Sequence, residues 1–199
     1  MSLDVSQLVL GPFQSNCYVV RREGADEAVV VDPGWEGEGQ RIQAALGDAA
    51  CAAILVTHGD IDHVGAVAEL AGATSAPVHF PAAESGDLGL EPDVQLGGDE
   101  TLRLAGLELE TVRVPGHTPG HVAFFSDGCL FSGDVLFKGS VGRTDRPGGD
   151  WATLGASIRM LVERYPPETT VYPGHGPATT LGYELETNPF LAELRAAHR

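Results

Sequence analysis

Two histidines and two aspartates crowd into one short stretch of the chain, residues 58–63, and this crowding limits what the chain can fold into. They are His58, Asp60, Asp62 and His63, and the apolar run 49–56 comes directly before them. Such a run is typical of a buried strand, so the four polar side chains leave from its C-terminal end and point into the crevice there. Four ionisable groups packed so closely are unfavourable unless a cation compensates for them. The stretch therefore predicts a metal site.

Three further turns share this construction, in which an apolar run is followed by small residues and then by one histidine or aspartate. These turns end at His117, Asp134 and His175. A single histidine past a strand end is usually a surface or core residue, but four in matching contexts, joined by an aspartate, indicate one assembled metal site. Imidazole and carboxylate ligands suit zinc, iron or manganese, and spacing alone does not choose among them.

The order of apolar patterns predicts an α/β protein in which strands and helices alternate in two successive rounds. An antiparallel meander is expected over 8–31, and short strands are expected between 77 and 134. Predicted helices cover 37–47, 151–164 and 181–197, the last broken at Asn188–Pro189, and a further helix begins within the His/Asp stretch. His79 and His198 are expected on the surface. The chain, 1–199, fits one domain, folded as a layered sandwich.

Composition narrows the classes of partner and compartment. With 12 basic and 28 acidic residues the net charge is −16, which opposes nucleic acid as a partner because no basic stripe is available for phosphates. No apolar run is long enough for a bilayer span, and no secretory signal is visible, so a cytoplasmic location is expected. The cysteines Cys17, Cys51 and Cys129 are widely spaced, which favours buried free thiols. With nucleic acid and membrane disfavoured, a small molecule is the expected substrate. The oligomeric state stays open.

Five ordered motifs resemble the metallo-β-lactamase-fold hydrolases, with the strongest likeness to small glyoxalase II-like (hydroxyacylglutathione hydrolase-like) proteins. The motifs are Asp32-Pro33-Gly34, the 57–63 stretch, Thr118-Pro119-Gly120-His121, Gly142-Arg143-Thr144-Asp145 and Gly174-His175-Gly176-Pro177. The resemblance implies a four-layer αββα sandwich with the metals at one edge of its two sheets. Because the chain stops soon after His175, we expect no separate C-terminal glutathione-binding helical domain.

The same resemblance implies the roles of the candidate ligands. One metal would be held by His58, Asp60 and His117, a second by Asp62, His63 and His175, and Asp134 would bridge them. One or two divalent ions are implied, zinc first, with iron or manganese as alternatives. The chain departs from the family at Asp60, where the motif usually has histidine. If this shorter, anionic side chain fails to reach, the first site keeps two histidines and one carboxylate, a set that suits non-haem Fe(II).

The implied activity is hydrolysis of a thioester by a water that the metal activates, with Asp62 as the catalytic residue that orients it. A persulfide dioxygenase-like iron enzyme on the same fold is the alternative, and β-lactamase activity is disfavoured because no export signal is visible. Arg143 and Lys138 are candidate substrate-binding residues, against a default of solvated charge. His121 and Asp32 are expected behind the ligands, where each would orient a ligand or cap its own turn.

Overall fold

Two six-stranded sheets form the centre of the fold. The structure, a computed structural model, describes residues 3–84, 86 and 88–197. The first sheet has the order β1-β2-β3-β4-β5-β6. Its strands are β1 (Leu3–Leu10), β2 (Ser15–Arg22), β3 (Glu27–Val31), β4 (Ala50–Leu55), β5 (Val78–Pro81) and β6 (Val94–Leu96). The first three strands pair antiparallel, as the meander predicts, and the remaining neighbours pair parallel.

The second sheet has the order β14-β13-β10-β9-β8-β7. Its strands are β7 (Thr101–Leu104), β8 (Leu107–Arg113), β9 (Val122–Ser126), β10 (Cys129–Gly133), β13 (Thr170–Pro173) and β14 (Thr179–Thr180), and a separate small hairpin is made by β11 (Leu136–Phe137) and β12 (Ser140–Val141). Only β10 and β13 pair parallel in this sheet. The C-terminal ends of these two strands therefore lie side by side.

Helices cover the outer face of each sheet. They are α1 (Gly39–Leu46), α2 (Ile61–Val64), α3 (Val67–Thr74), α4 (Trp151–Arg164), α5 (Leu181–Thr187) and α6 (Ala192–Ala197), with a 3₁₀ turn at Pro189–Leu191. Side chains of α1 and α3 share one core with the first sheet, and those of α4, α5 and α6 share another with the second. A third core lies between the sheets. The predicted four-layer αββα sandwich is confirmed.

The alternation of side chains along strand β2 shows how this layering arises from the sequence. Cys17 and Val19 face the helices, while Tyr18 and Val20 face the core between the sheets. Successive strand residues point to opposite faces, so a strand covered on both sides needs apolar residues at consecutive positions. The apolar run that ends in β4 has the same origin.

Some expected boundaries and burials are wrong. The helix that follows the His/Asp stretch is divided into α2 and α3, because the backbone at Ala66, with φ −101° and ψ 10°, leaves the helical conformation. His79 is buried rather than exposed, since β5 lies inside the sheet between β4 and β6. His198 lies outside the described residues. The three cysteines are free, but only Cys17 is fully buried.

The topology brings the polar turns together. The turns after β3, β4, β8, β10 and β13 carry, in that order, Asp32, the 58–63 stretch, His117, Asp134 and His175. Each follows the C-terminal end of its strand, and the ends of parallel strands lie at the same edge of a sheet. None of the described helices has the length and apolar character needed to cross a bilayer.

Candidate metal centre

The structure gathers six of the seven candidate ligands into two groups of three. His58, His117 and Asp134 offer ligand atoms within 4.8 Å of one another, and so do Asp62, His63 and His175. A third grouping joins Asp32 to His58 and His63. Each main group combines residues from both sheets, so the centre lies where the two sheet edges meet. Asp60 belongs to none of these groups.

The spacing of the ligand atoms fits a bound metal ion. From Nε2 of His117 and of His63 the nearest Asp134 oxygens are 3.7 and 3.4 Å away, and His175 Nε2 is 3.2 Å from an oxygen of Asp62. Two ligands about 2.1 Å from one tetrahedral ion would be roughly 3.4 Å apart. The Nε2 atoms of His58, His63 and His117 are buried without a hydrogen-bond partner, as is Oδ1 of Asp134. Buried polar atoms without partners are unfavourable, so these atoms fit the metal that the fold implies.

The opposite ring nitrogen of these three histidines is fixed by an acceptor. Nδ1 of His58 lies 2.9 Å from Thr57 Oγ1, and that of His63 lies 3.1 Å from Asp32 Oδ2. His117 donates through Nδ1 to the backbone oxygen of Arg143 at 2.7 Å. In the neutral rings these bonds favour the proton on Nδ1 and leave the Nε2 lone pair free, which is the tautomer a metal requires.

The pKa shifts show how strongly the ligands couple in the metal-free centre. Burial lowers the pKa of His58 well below its ordinary value, and the neighbouring His63 adds to this effect. Burial alone would also lower the pKa of His63, but the Asp134 and Asp32 carboxylates raise it well above the usual range. Burial would raise the pKa of Asp134, yet the charge on His63 holds it well below. Metal binding must therefore displace protons from this cluster.

Asp32 and His121 lie behind the ligands. Asp32 accepts hydrogen bonds from the Thr57 backbone and hydroxyl, both at 2.8 Å, as well as from His63. Its side chain is therefore engaged with the ligand turn rather than with its own Pro-Gly turn. The ring of His121 stacks on that of His58 at 4.6 Å, and its Nε2 accepts from the Asp134 backbone at 3.1 Å. Both residues orient candidate ligands through direct contacts.

Sequence reasoning missed several residues that hold the ligand turns. Glu84 accepts the backbone N–H of Gly59 at 3.0 Å and that of Gly120 at 2.6 Å, which ties the two turns that carry His58 and His117. Asn16 and Tyr18 donate to the carbonyl of Pro173, next to the His175 turn. A lone glutamate in a loop carries no sequence signal for such a bridge.

The centre opens into a cavity of about 260 Å³. It is lined by Phe13, Asp60, Ile61, Asp62, His117, Asp134, Arg143, Arg146 and His175. Phe13 and Ile61 are exposed, so apolar surface borders the metal ligands on one side. A larger cavity of about 500 Å³ lies elsewhere, between α4 and the C-terminal helices, away from the polar turns.

The two candidate substrate-binding residues are placed differently. Arg143 lines the cavity and makes a two-pronged ion pair with Asp145, at 2.7 and 2.8 Å. Lys138 instead lies over the ring of Tyr183, 5.8 Å from its centroid, and is not among the residues that line the cavity. The structure therefore does not bring Lys138 to the centre, because the hairpin that carries it turns toward α5.

Comparisons with known proteins agree with this arrangement. The family model described as the Metallo-beta-lactamase superfamily matches residues 10–175. Hydroxyacylglutathione hydrolase GloC of Haemophilus influenzae is 34% identical over 95% of this chain and 98% of its own length. The crystal structure of BLEG-1 B3 metallo-beta-lactamase is 36% identical, with a TM-score of 0.86, and covers 95% of this chain and 100% of that one.

A further solved structure bears on the metal. The crystal structure of TTHA1623 in a di-iron-bound form is 41% identical to this chain, with a TM-score of 0.82, over 94% of this chain and 100% of that one. The His/Asp groups described above lie within the span of the family match. The chain belongs to the metallo-beta-lactamase superfamily of metallo-hydrolases, and the glyoxalase II-like resemblance of its motifs is confirmed.

Proposed function

We propose that this protein is a metal-dependent hydrolase of thioesters, of the S-acyl thiol conjugate class. The observation that carries the proposal is the pair of ligand groups that share one edge of the sandwich, with unpartnered Nε2 atoms directed between the carboxylates. The name of the Haemophilus influenzae relative, hydroxyacylglutathione hydrolase, supports the choice of thioester. Zinc is the proposed metal, with iron or manganese as alternatives.

The proposed ligand sets follow the geometric groups. His58, His117 and Asp134 hold one ion, Asp62, His63 and His175 hold the other, and Asp134 contacts both groups. When bound, the metal supplies an acidified water as nucleophile and polarises the substrate carbonyl. Asp62 is the proposed catalytic residue that orients this water, because its Oδ2 lies at the cavity surface between His63 and His175. Ser15 supports that position by donating to the Asp62 carbonyl at 2.6 Å.

The cavity suits a small thioester. Phe13 and Ile61 offer an apolar border for the acyl group, and Arg143 offers a guanidinium for a carboxylate of the thiol portion once its pairing with exposed Asp145 is exchanged. A thiolate is a good leaving group, so hydrolysis needs no strong general acid, and we assign none.

Hydrolysis assays on the zinc-loaded protein test the proposal. We expect turnover of S-lactoylglutathione, compared with other thioesters, lactones and a chromogenic β-lactam, the last because of the B3 metallo-beta-lactamase neighbour. Asp134→Asn should abolish turnover, while Asp127→Asn, an exposed aspartate at the opposite end of β10, should retain it. Hydrolysis of none of the thioesters by metal-loaded protein would refute the proposal.

A second candidate function is a persulfide dioxygenase-like iron enzyme. His58, His117 and Asp134 form a group of two histidines and one carboxylate, which suits non-haem Fe(II), and the TTHA1623 structure contains iron. Oxygen uptake by iron-loaded protein with glutathione persulfide would favour this candidate. Metal analysis of protein purified without added metal separates the two, because one iron and two zincs point to different reactions.

A further inference from the structure

An ion pair across the cavity holds Asp60 beside the centre. Oδ2 of Asp60 lies 3.0 Å from Nη1 of Arg146, a residue 86 positions away in the chain, and 3.4 Å from Nε2 of His117. A single carboxylate oxygen therefore faces both the guanidinium and the ring nitrogen of a proposed ligand. The Asp60 side chain is 22% exposed, so it is partly shielded, whereas that of Arg146 is 52% exposed.

The distance between Asp60 and His117 does not explain why Asp60 is absent from the first ligand group. Its 3.4 Å separation from His117 Nε2 falls within the 3.2–3.7 Å range of the other ligand contacts. Yet among the residues that the structure describes, no group of three ligand atoms that includes Asp60 lies within 4.8 Å. The oxygen nearest the centre is the one that Arg146 engages, and this contact directs it toward the loop at 142–150.

The ion pair between Arg146 and Asp60 changes the charge around the centre. Asp60, Asp62 and Asp134 would place three carboxylates around the metal ions if all three were free. A guanidinium hydrogen-bonded to Asp60 neutralises one of them and satisfies a lone pair that a metal would otherwise use. Removal of that guanidinium leaves an anionic oxygen at ligand spacing from His117, with the charge of Arg143 acting on it only through space.

We propose that Arg146 is a positioning residue that withholds Asp60 from the metal, so that the first site binds through His58, His117 and Asp134. The inference rests on the proposed metal centre and adds a control over its affinity. It assigns to Asp60 and Arg146 a joint role: together they set how tightly the first site holds its ion.

The loop supplies a matched control for Arg146. Arg143 lines the same cavity and has a similar exposure, 54% against 52%, but its partner is Asp145 rather than Asp60. Replacement of either arginine by methionine removes one positive charge near the centre and preserves much of the side-chain volume. Only Arg146→Met frees Asp60.

Metal affinity, measured with a competing chromophoric chelator, tests the proposal. We expect Arg146→Met to tighten one of the two zinc-binding steps by at least fivefold, and Arg143→Met to change both by less than twofold. In an Asp60→Asn background, Arg146→Met should change zinc affinity little. This double variant separates ligation by Asp60 from the loss of repulsion between the arginine and the metal ion. Cobalt-substituted Arg146→Met protein should also show an altered visible spectrum, which reports a changed ligand set.

Two results would overturn the inference. One is unchanged or weaker zinc binding in Arg146→Met. The other is a loss of more than tenfold in affinity when Asp60→Asn alone is made, since this would mean that Asp60 already ligates. The inference alone would be refuted if the wild-type protein binds zinc and hydrolyses thioesters and Arg146→Met binds zinc with the same affinity as the wild type. A wild-type chain that binds no metal would refute the proposed function as well.

Discussion

Replacement of Asp32 by asparagine should switch the ring tautomer of His63. Asp32 has a φ of +50°, a left-handed conformation that asparagine also tolerates, so the backbone should not be strained by the change. The amide oxygen can still accept the Thr57 N–H, but the amide nitrogen replaces Oδ2, which accepts from His63 Nδ1 at 3.1 Å. Two donors would then face each other. His63 relieves the conflict by moving its proton to Nε2, the atom proposed to bind the metal.

The hydrogen bond that Asp32→Asn removes determines the expected loss of stability and of metal affinity. Loss of a hydrogen bond to a buried carboxylate costs about 1.5–3 kcal/mol of stability. For a chain of 199 residues this corresponds to a fall in the metal-free Tm of roughly 3–12 °C. Loss of the acceptor behind a histidine ligand weakens metal binding by about 10–100-fold. The weakening should be greatest in the group with Asp62, His63 and His175, because His58 contacts Asp32 only through the Thr57 hydroxyl and a backbone carbonyl fixes His117.

Two measurements check Asp32→Asn. Chelator competition should show one strongly weakened zinc-binding step and one step that changes less. Nitrogen NMR of the histidine rings in metal-free protein, recorded above the raised pKa of His63 so that the ring is neutral, should show His63 changing from the Nδ1–H to the Nε2–H tautomer. Asp48→Asn, an exposed aspartate in the turn before β4, is the control and should change stability by no more than about 0.5 kcal/mol. Wild-type affinity in both steps together with an unchanged His63 tautomer would refute the reasoning.

Three further results are expected. Glu84→Ala removes the shared acceptor of two ligand turns and should lower the free energy of unfolding by about 2–4 kcal/mol in urea titrations, whereas Glu91→Ala, exposed in the same connection, should not. Burial alone would lower the pKa of His175, but hydrogen bonds to Asp134 and Asp62 raise it to about 10. The resulting stability of the metal-free protein is therefore complete below about pH 6.5 and is lost as the pH rises through 10. Zinc binding at pH 7.5 should accordingly release the His175 proton, measured as a calorimetric heat that varies with the buffer's ionisation enthalpy, and no dependence on the buffer would contradict this. Removal of the metal by a chelator should lower the Tm, since free zinc at 100 times its Kd stabilises by about 2.7 kcal/mol, and an unchanged Tm would argue against a folded-state site.

The sequence predicted the layers and most of the candidate centre because both depend on local patterns. A strand covered on both faces must be apolar at consecutive positions, as in the run before His58, and the polar residue that follows must emerge at the sheet edge. Repetition of this arrangement at His117, Asp134 and His175 was enough to predict one assembled site, since strand ends of a two-sheet sandwich converge. The sequence-based boundaries failed where the backbone leaves the helical conformation inside a stretch with continuous apolar periodicity, as at Ala66.

Contacts between loops could not be predicted in this way. The pairing of Arg146 with Asp60 joins positions 86 residues apart, and although the sequence marks Asp60 as a candidate ligand, it does not indicate Arg146 as its partner. The role of Asp32 depends on a backbone angle that directs its carboxylate toward Thr57 and away from its own turn. Such contacts are fixed by the relative placement of whole turns, which apolar periodicity does not encode.

The division of the ligands between the sheets explains why these loop contacts matter. The first sheet supplies His58, Asp62 and His63, and the second supplies His117, Asp134 and His175, yet each ligand group draws on both. A metal in either group would therefore bridge the two sheet edges, and a small shift between the sheets changes every distance between ligands from opposite sheets. Glu84 resists such a shift because it ties turns from opposite sheets, and Asn16 and Tyr18 do the same by donating to the Pro173 carbonyl. The polar contacts that the sequence concealed are thus the ones that keep the two halves of the centre at metal-binding distance.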